Sequence, residues 1–179
     1  MMLLIPNKKE GWPGPAEHPT FMFKAPAFEK MIIHLRSDTS VEGGGFLLGK
    51  STSINFEISE FIAARFVIAT KSSLQFTAQT WNDYDDQKTE KFPDLELLGW
   101  AHTHPGLGVF LSNRDKTVNL FFDHIAVVYD PLQREIGFFY LRHSQQPLIP
   151  TEIVGKPKIK LDFKNYDIKK VNTSRNIKQ

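Results

Sequence analysis

The stretch that decides the fold is Gly99–Asp115, GWAHTHPGLGVFLSNRD. It begins as an apolar strand that ends in His102 and His104, and side chains two positions apart on a strand point to the same face. A Pro-Gly loop follows, and Ser112 is the predicted N-cap of a helix with Asp115 three residues later. Two imidazoles and one carboxylate leave a fourth coordination position for water, as in a catalytic zinc site.

This segment resembles the signature of the JAB/MPN metalloproteases, the JAMM motif. That motif is an upstream Glu followed by H-[ST]-H-P-x6-S-x-x-D, and here it reads Glu42, His102-Thr103-His104-Pro105, Ser112 and Asp115. The flanks VEGGGFLLGK, LLGWAHTHP and IAVVYDP also resemble family segments, so the resemblance covers roughly residues 20–142. The complete set of motif residues favours a catalytic member over a metal-free one.

The resemblance implies an α+β fold, an α/β sandwich in which helices flank a mixed β-sheet like that of cytidine deaminases. It implies a metalloprotease that cleaves peptide or isopeptide bonds after a ubiquitin or ubiquitin-like C-terminus. His102, His104 and Asp115 would bind Zn²⁺, Glu42 would accept a proton from water, and the Ser112 hydroxyl would stabilise the oxyanion. The implied partners are a ubiquitin-like protein or its conjugates, with ubiquitin-like activating or conjugating enzymes.

Two other functions have to be weighed. One is a non-catalytic module of the same fold that binds a ubiquitin-like partner or supports an assembly. The other is nucleotide binding, because Gly44, Gly49, Lys50 and Ser51 fit the phosphate-loop pattern G-x-x-x-x-G-K-[ST]. A phosphate loop must leave a strand and open a helix, whereas here a helical pattern precedes the stretch and a strand pattern follows it. Nucleotide binding is therefore the remote alternative.

Hydrophobic periodicity predicts the remaining elements. Apolar residues after Ala25 recur at i, i+3, i+4 and i+7, which indicates an amphipathic helix. Residues 71–94 fit either a helix or a long loop. The helix predicted from Ser112 has Val118, Leu120, Phe121 and Phe122 on its apolar side. Strands are predicted for GGFLLGK, INFEISEFI, ARFVIAT, LELLGWAHTH, HIAVVYD and EIGFFYL.

Composition restricts the chemistry. The chain has 179 residues and is 41% hydrophobic, which suits one domain with a core. It contains no Cys, which excludes disulfides, Cys-ligated zinc and a cysteine nucleophile. No apolar run is long enough to span a bilayer, and the apolar run at the start is too short for a signal peptide and precedes its charges. A cytoplasmic protein without a membrane partner is expected.

The chain divides into three predicted segments. Residues 1–19 form an irregular N-terminal arm, residues 20–155 the JAB/MPN metalloprotease domain, and residues 156–179 a basic tail that is a candidate for disorder. The tail holds eight Lys or Arg against two Asp. A solvated terminus is favoured over a nucleic-acid-binding one, and nucleic acid is not an expected partner of the domain.

Overall fold

In the described part of the chain, a mixed nine-stranded sheet with one helix on each face forms the core. The computed structural model of the chain describes residues 1–7, 19–52, 55–117, 124–141 and 149–170. The strand order is β11-β1-β10-β2-β4-β3-β7-β8-β9, and β5 and β6 form a separate two-stranded sheet. The elements are β1 (Met2–Pro6), β2 (Thr20–Lys24), α1 (Ala25–Arg36), β3 (Gly44–Ser51), β4 (Asn55–Ala63), β5 (Ile68–Thr70), β6 (Ser73–Gln75), α2 (Ala78–Lys91), β7 (Glu96–Thr103), a 3₁₀ turn η1 (Asp115–Thr117), β8 (His124–Asp130), β9 (Glu135–Leu141), β10 (Thr151–Val154) and β11 (Tyr166–Lys170). The predicted α+β fold is confirmed.

The two helices cover opposite faces of the sheet. In α1 the predicted apolar stripe is buried against one face, with Phe28, Met31, Ile32 and Leu35 at most 1% exposed. The stretch that fitted either a helix or a loop contains α2, whose N-cap Thr77 forms a capping box with Thr80. Successive side chains of β3 point alternately to the two faces of the sheet. Leu47 joins the core cluster under α1, whereas Phe46 and Leu48 join the cluster with Tyr84 of α2.

The strand β7, which carries the histidine pair, is central in the sheet. It pairs antiparallel with β3 and parallel with β8. In the β3–β7 ladder Gly44 lies opposite His102, so the segment just before β3, which contains Glu42, runs beside the end of β7. This register brings together residues that are sixty positions apart in the sequence.

The phosphate-loop pattern lies in a strand, not in a loop. Gly44–Ser51 is β3, and the next element is the strand β4, so no helix N-terminus follows to meet a phosphate. A Cβ added at Gly49 would lie 1.8 Å from the carbonyl oxygen of Glu57, so glycine is needed there for close approach of two strands. The nucleotide-binding alternative is wrong.

Two strands lie outside residues 20–155. β1 lies in the segment predicted to be an irregular arm, and β11 lies in the basic tail. β1 pairs antiparallel with both β10 and β11, and its Leu4 is fully buried. The tail also contributes Phe163 and Tyr166 to the core. The N-terminal arm and the basic tail are therefore not irregular throughout, because each supplies apolar side chains that the sheet buries. Residues 8–18 and 171–179 lie outside the described residues.

The helix predicted from Ser112 is represented by the 3₁₀ turn Asp115–Thr117. The apolar positions that were to line it fall within 118–123, which lie outside the described residues. In the part of the chain that the structure describes, no helix is both long and apolar enough to cross a membrane.

Candidate metal centre

Three side chains from the decisive stretch converge at the end of β7. His102 Nε2 lies 3.0 Å from His104 Nε2 and 3.3 Å from Asp115 Oδ1, and His104 Nε2 lies 3.5 Å from Asp115 Oδ2. All three residues are at most 7% exposed. We call His102, His104 and Asp115 the ligand triad. Within the described ranges it is the one group of three or more such side chains that could hold a metal ion.

The spacing of the ligand triad fits zinc. Ligand atoms about 2.0–2.1 Å from a tetrahedral zinc lie roughly 3.3 Å from each other. The two ring nitrogens are 3.0 Å apart, and each lies 3.3 or 3.5 Å from a different oxygen of the Asp115 carboxylate. The donor set of two imidazoles and one carboxylate also suits zinc and leaves a fourth position. The residues present therefore fit the metal that the motif predicts.

Each histidine ring is oriented by a different neighbour. His104 Nδ1 lies 3.3 Å from the carbonyl oxygen of Gly108; because a carbonyl only accepts, this bond places the proton on Nδ1 and leaves the Nε2 lone pair directed at the triad. His102 stacks on Trp100, with ring centroids 4.3 Å apart and planes 12° apart. The His102 Nδ1 atom has no hydrogen-bond partner among the described residues, so on that side of the ring stacking takes the place of an orienting hydrogen bond.

Burial and mutual contact shift the pKa values within the triad. Burial lowers the pKa of His102, which favours the neutral ring that binds metal. Burial alone would raise the pKa of Asp115, but its bonds to His102 and His104 outweigh burial and hold that pKa far below its usual range. Asp115 is therefore a carboxylate at neutral pH. Burial would lower the pKa of His104, but its bond to Asp115 and the charge of Glu42 outweigh burial and raise that pKa, so a metal that binds there displaces any proton on the ring.

Glu42 lies beside the triad, where the motif predicts it. Its side chain is buried, with 4% exposure, and Oε1 lies 4.0 Å from His104 Nε2. Burial raises the pKa of Glu42 to about 7 in the metal-free protein, with the charge of Asp115 adding to the effect and His104 opposing it. A buried carboxylate beside the ligand triad, with a pKa near neutrality, is placed to exchange a proton with a water held at the triad.

Ser112 forms a reciprocal cap with Asp115. Its Oγ accepts the Asp115 N–H at 3.1 Å, and its own N–H donates to Asp115 Oδ2 at 2.7 Å. The predicted capping role is therefore present, and it also orients the ligand carboxylate. The Ser112 hydroxyl also forms a side-chain hydrogen bond with the Asp115 carboxylate, which helps to lower the pKa of Asp115; because a hydroxyl rotates, the same proton can turn to a ligand.

Asp130, the last residue of β8, organises the loop after the histidine pair. Its side chain is fully buried. The carboxylate accepts N–H groups from four residues: Gly106, Gly108, Leu132 and Gln133, at 2.7–3.0 Å. Gly106 and Gly108 have φ of +77° and +84°, a conformation that other residues adopt at a cost. Asp130 thereby fixes the loop whose Gly108 carbonyl orients His104.

Replacing Asp130 by Asn is expected to lower the free energy of unfolding by on the order of 3 kcal/mol, because an amide opposes N–H donors with its own N–H groups. Burial alone would raise the pKa of Asp130, but the four donors outweigh it and hold the pKa below its usual value. The stabilisation is therefore present above the unfolded-state pKa of about 3.9 and is lost as pH falls through the lower folded-state pKa. Urea unfolding measured from pH 7 downward should show that the difference in free energy of unfolding between wild type and Asp130→Asn becomes smaller as the pH falls.

The matched control is Asp94→Asn, at an exposed position, which should unfold like wild type at every pH. The role of the Asp130 carboxylate in holding the loop would be contradicted if wild type and Asp130→Asn had the same free energy of unfolding at pH 7. It would also be contradicted if their difference stayed constant as the pH falls.

Comparison with known proteins agrees with the geometry. Residues 19–126 match the family described as JAB1/Mov34/MPN/PAD-1 ubiquitin protease. Subunit 5 of the COP9 signalosome complex from Caenorhabditis elegans is 30% identical over 115 residues, covering 60% of this chain and 31% of that protein. Subunit 5b from Arabidopsis thaliana is 31% identical over 126 residues, covering 63% of this chain and 35% of that protein. The match thus spans about a third of these relatives.

A solved structure shares the fold. The solution structure of protein DSY2949 from Desulfitobacterium hafniense superposes with a TM-score of 0.60 at 16% identity, covering 79% of this chain and 96% of that one. At this identity the likeness concerns the fold alone. The family match covers more than half of the chain and includes Glu42 and the whole ligand triad. The chain belongs to the JAB1/Mov34/MPN/PAD-1 family, as the motif predicts.

Proposed function

We propose that this protein is a zinc-dependent hydrolase that cleaves peptide or isopeptide bonds after the C-terminus of ubiquitin or a ubiquitin-like protein. One observation carries the proposal: the buried Glu42 carboxylate lies 4.0 Å from a ligand nitrogen of the triad. A metal site that served only to hold the fold together would have four protein ligands and no need of such a neighbour. Three ligands with an adjacent carboxylate suit catalysis.

Each residue of the site has its own role in the proposed hydrolysis. Zinc, when bound, supplies a Lewis acid that makes water acidic enough to react at neutral pH. Glu42 accepts the proton that water loses and returns it to the leaving amine. Ser112 donates its hydroxyl proton to the oxyanion of the tetrahedral intermediate. Burial of the triad keeps bulk water from competing for these groups.

The substrate is proposed to be an extended C-terminal tail. A tail can add to a sheet edge as a further strand, where backbone hydrogen bonds bind it with little dependence on sequence. The β5–β6 pair is a candidate because the carbonyl of Thr70 in β5 accepts the N–H of Glu42 at 2.8 Å, which brings this small sheet to the reaction site. Partners that activate or conjugate the ubiquitin-like protein, and a cytoplasmic location, remain predictions.

The test is cleavage of ubiquitin and ubiquitin-like proteins that carry C-terminal extensions, using protein of measured zinc content. We expect loss of the extension, seen by mass spectrometry as cleavage directly after the ubiquitin-like C-terminus. Stoichiometric zinc with binding of these proteins, but no cleavage of any, would instead support the non-catalytic binding module of the same fold.

A further inference from the structure

The backbone around Glu42 is held by two separate parts of the fold. The Glu42 N–H donates to the carbonyl of Thr70 in β5 at 2.8 Å. The next residue, Gly43, donates its N–H to Thr103 Oγ1 at 2.8 Å, and its carbonyl accepts the Thr103 N–H at 2.9 Å. Thr103 is fully buried and lies between the two histidine ligands. One residue of β7 thus forms both a main-chain and a side-chain bond to the segment that carries Glu42.

Gly43 depends on these bonds for its conformation. A Cβ at this position would meet no atom within 4 Å, so packing does not restrict the residue. Glycine also has more backbone freedom than any other residue. A rotation of the backbone at Gly43 would displace the preceding residue, and with it the Glu42 carboxylate 4.0 Å from His104 Nε2. The two bonds to Thr103 supply the restriction that side-chain packing does not.

We propose that Thr103 is a positioning residue, which fixes the Glu42 carboxylate relative to the ligand triad by bonding both backbone groups of Gly43. Its neighbours His102 and His104 point to one face of the strand, so the Thr103 side chain points to the other and does not enter the triad. This inference rests on the proposed role of Glu42 as proton acceptor.

The test compares Thr103→Val with Thr103→Ser in the zinc-loaded chain of 179 residues. Valine has nearly the shape of threonine and keeps the main-chain bond to Gly43, but it removes the hydroxyl acceptor; serine keeps the hydroxyl. We expect kcat to fall about 10- to 100-fold in Thr103→Val, the loss that a misplacement of about 1 Å produces. KM and zinc content should stay at wild-type values. Thr103→Ser should recover most of the lost kcat.

Two further readouts separate positioning from general destabilisation. In a Glu42→Gln background, Thr103→Val should cause no additional loss of kcat, because both changes act through the same carboxylate. The Gly43 amide should exchange with solvent faster in Thr103→Val, and the Glu42 carboxyl ¹³C signal should broaden or split. An unchanged kcat, a loss that parallels loss of zinc, or a full additional loss in the Glu42→Gln background would each overturn the inference.

Failure of the proposed function is distinguishable from failure of this inference. If wild type cleaves no conjugate, the proposed hydrolase is wrong, while the Gly43 amide and the Glu42 carboxyl signal still report on the Thr103 contact. Faster Gly43 exchange with a shifted or heterogeneous Glu42 signal would then support positioning. Wild-type spectra for both groups in Thr103→Val would overturn it.

Discussion

Chelation of zinc is expected to abolish hydrolysis and to lower the Tm by roughly 8–16 °C. A ligand present at 1,000 times its Kd adds about 4 kcal/mol to the free energy of unfolding, and for a domain of this size 1 kcal/mol moves the Tm by about 2–4 °C. Zinc stabilises the fold because its ligands are close together: the two ring nitrogens are 3.0 Å apart, and they lie 3.3 and 3.5 Å from the Asp115 carboxylate. A bound cation coordinates all three side chains at once. Differential scanning calorimetry with and without zinc measures the change in Tm.

The control for chelation is recovery on adding back one equivalent of Zn²⁺, which should restore both rate and Tm. His104→Ala removes one of three ligands and should show no response of the Tm to zinc. Wild-type protein that keeps its rate and its Tm after zinc is removed would contradict the assignment of the ligand triad.

Local patterns in the sequence predicted the parts of the site that are close together in the chain. Alternation along a strand placed His102 and His104 on one face, and the spacing to Ser112 predicted the cap that orients Asp115; both agree with the structure. Glu42 could not be placed by any local rule. Its position depends on the β3–β7 register, in which Gly44 lies opposite His102, and only the resemblance to a family motif connected residues so far apart.

Residues that act through long-range contacts were missed. Asp130 ends β8 and accepts hydrogen bonds from backbone N–H groups of the loop after the histidine pair. Because backbone N–H groups do not depend on residue type, no sequence pattern indicates these contacts. β1 and β11 were missed because they are short, and β11 in particular has only Tyr166 buried and four exposed residues after it. Such a strand has no clear alternation, and it forms because β1 offers it a partner.

Replacement of Glu42 by Gln is expected to lower kcat by about 10³-fold, within the range of roughly 10²–10⁴ that proton transfer by a placed side chain contributes. The amide has nearly the shape of the carboxylate but cannot accept the proton that water loses. Glu42 is not part of the ligand triad, so zinc content should stay stoichiometric and the Kd for a ubiquitin-like conjugate should change little. Single-turnover kinetics with zinc-loaded protein measures the effect on the chemical step.

Glu90→Gln provides the matched control, since Glu90 is exposed on α2 and its loss changes the net charge by the same amount. It should turn over like wild type. If Glu42→Gln also turned over like wild type, the proton would have to leave by another route, because Glu42 is the one carboxylate outside the triad that the described structure pairs with a triad nitrogen. If instead Glu42→Gln lost its zinc, Glu42 would act as a fourth ligand and the site would be closed. A catalytic role thus requires both outcomes together: zinc retained and turnover lost.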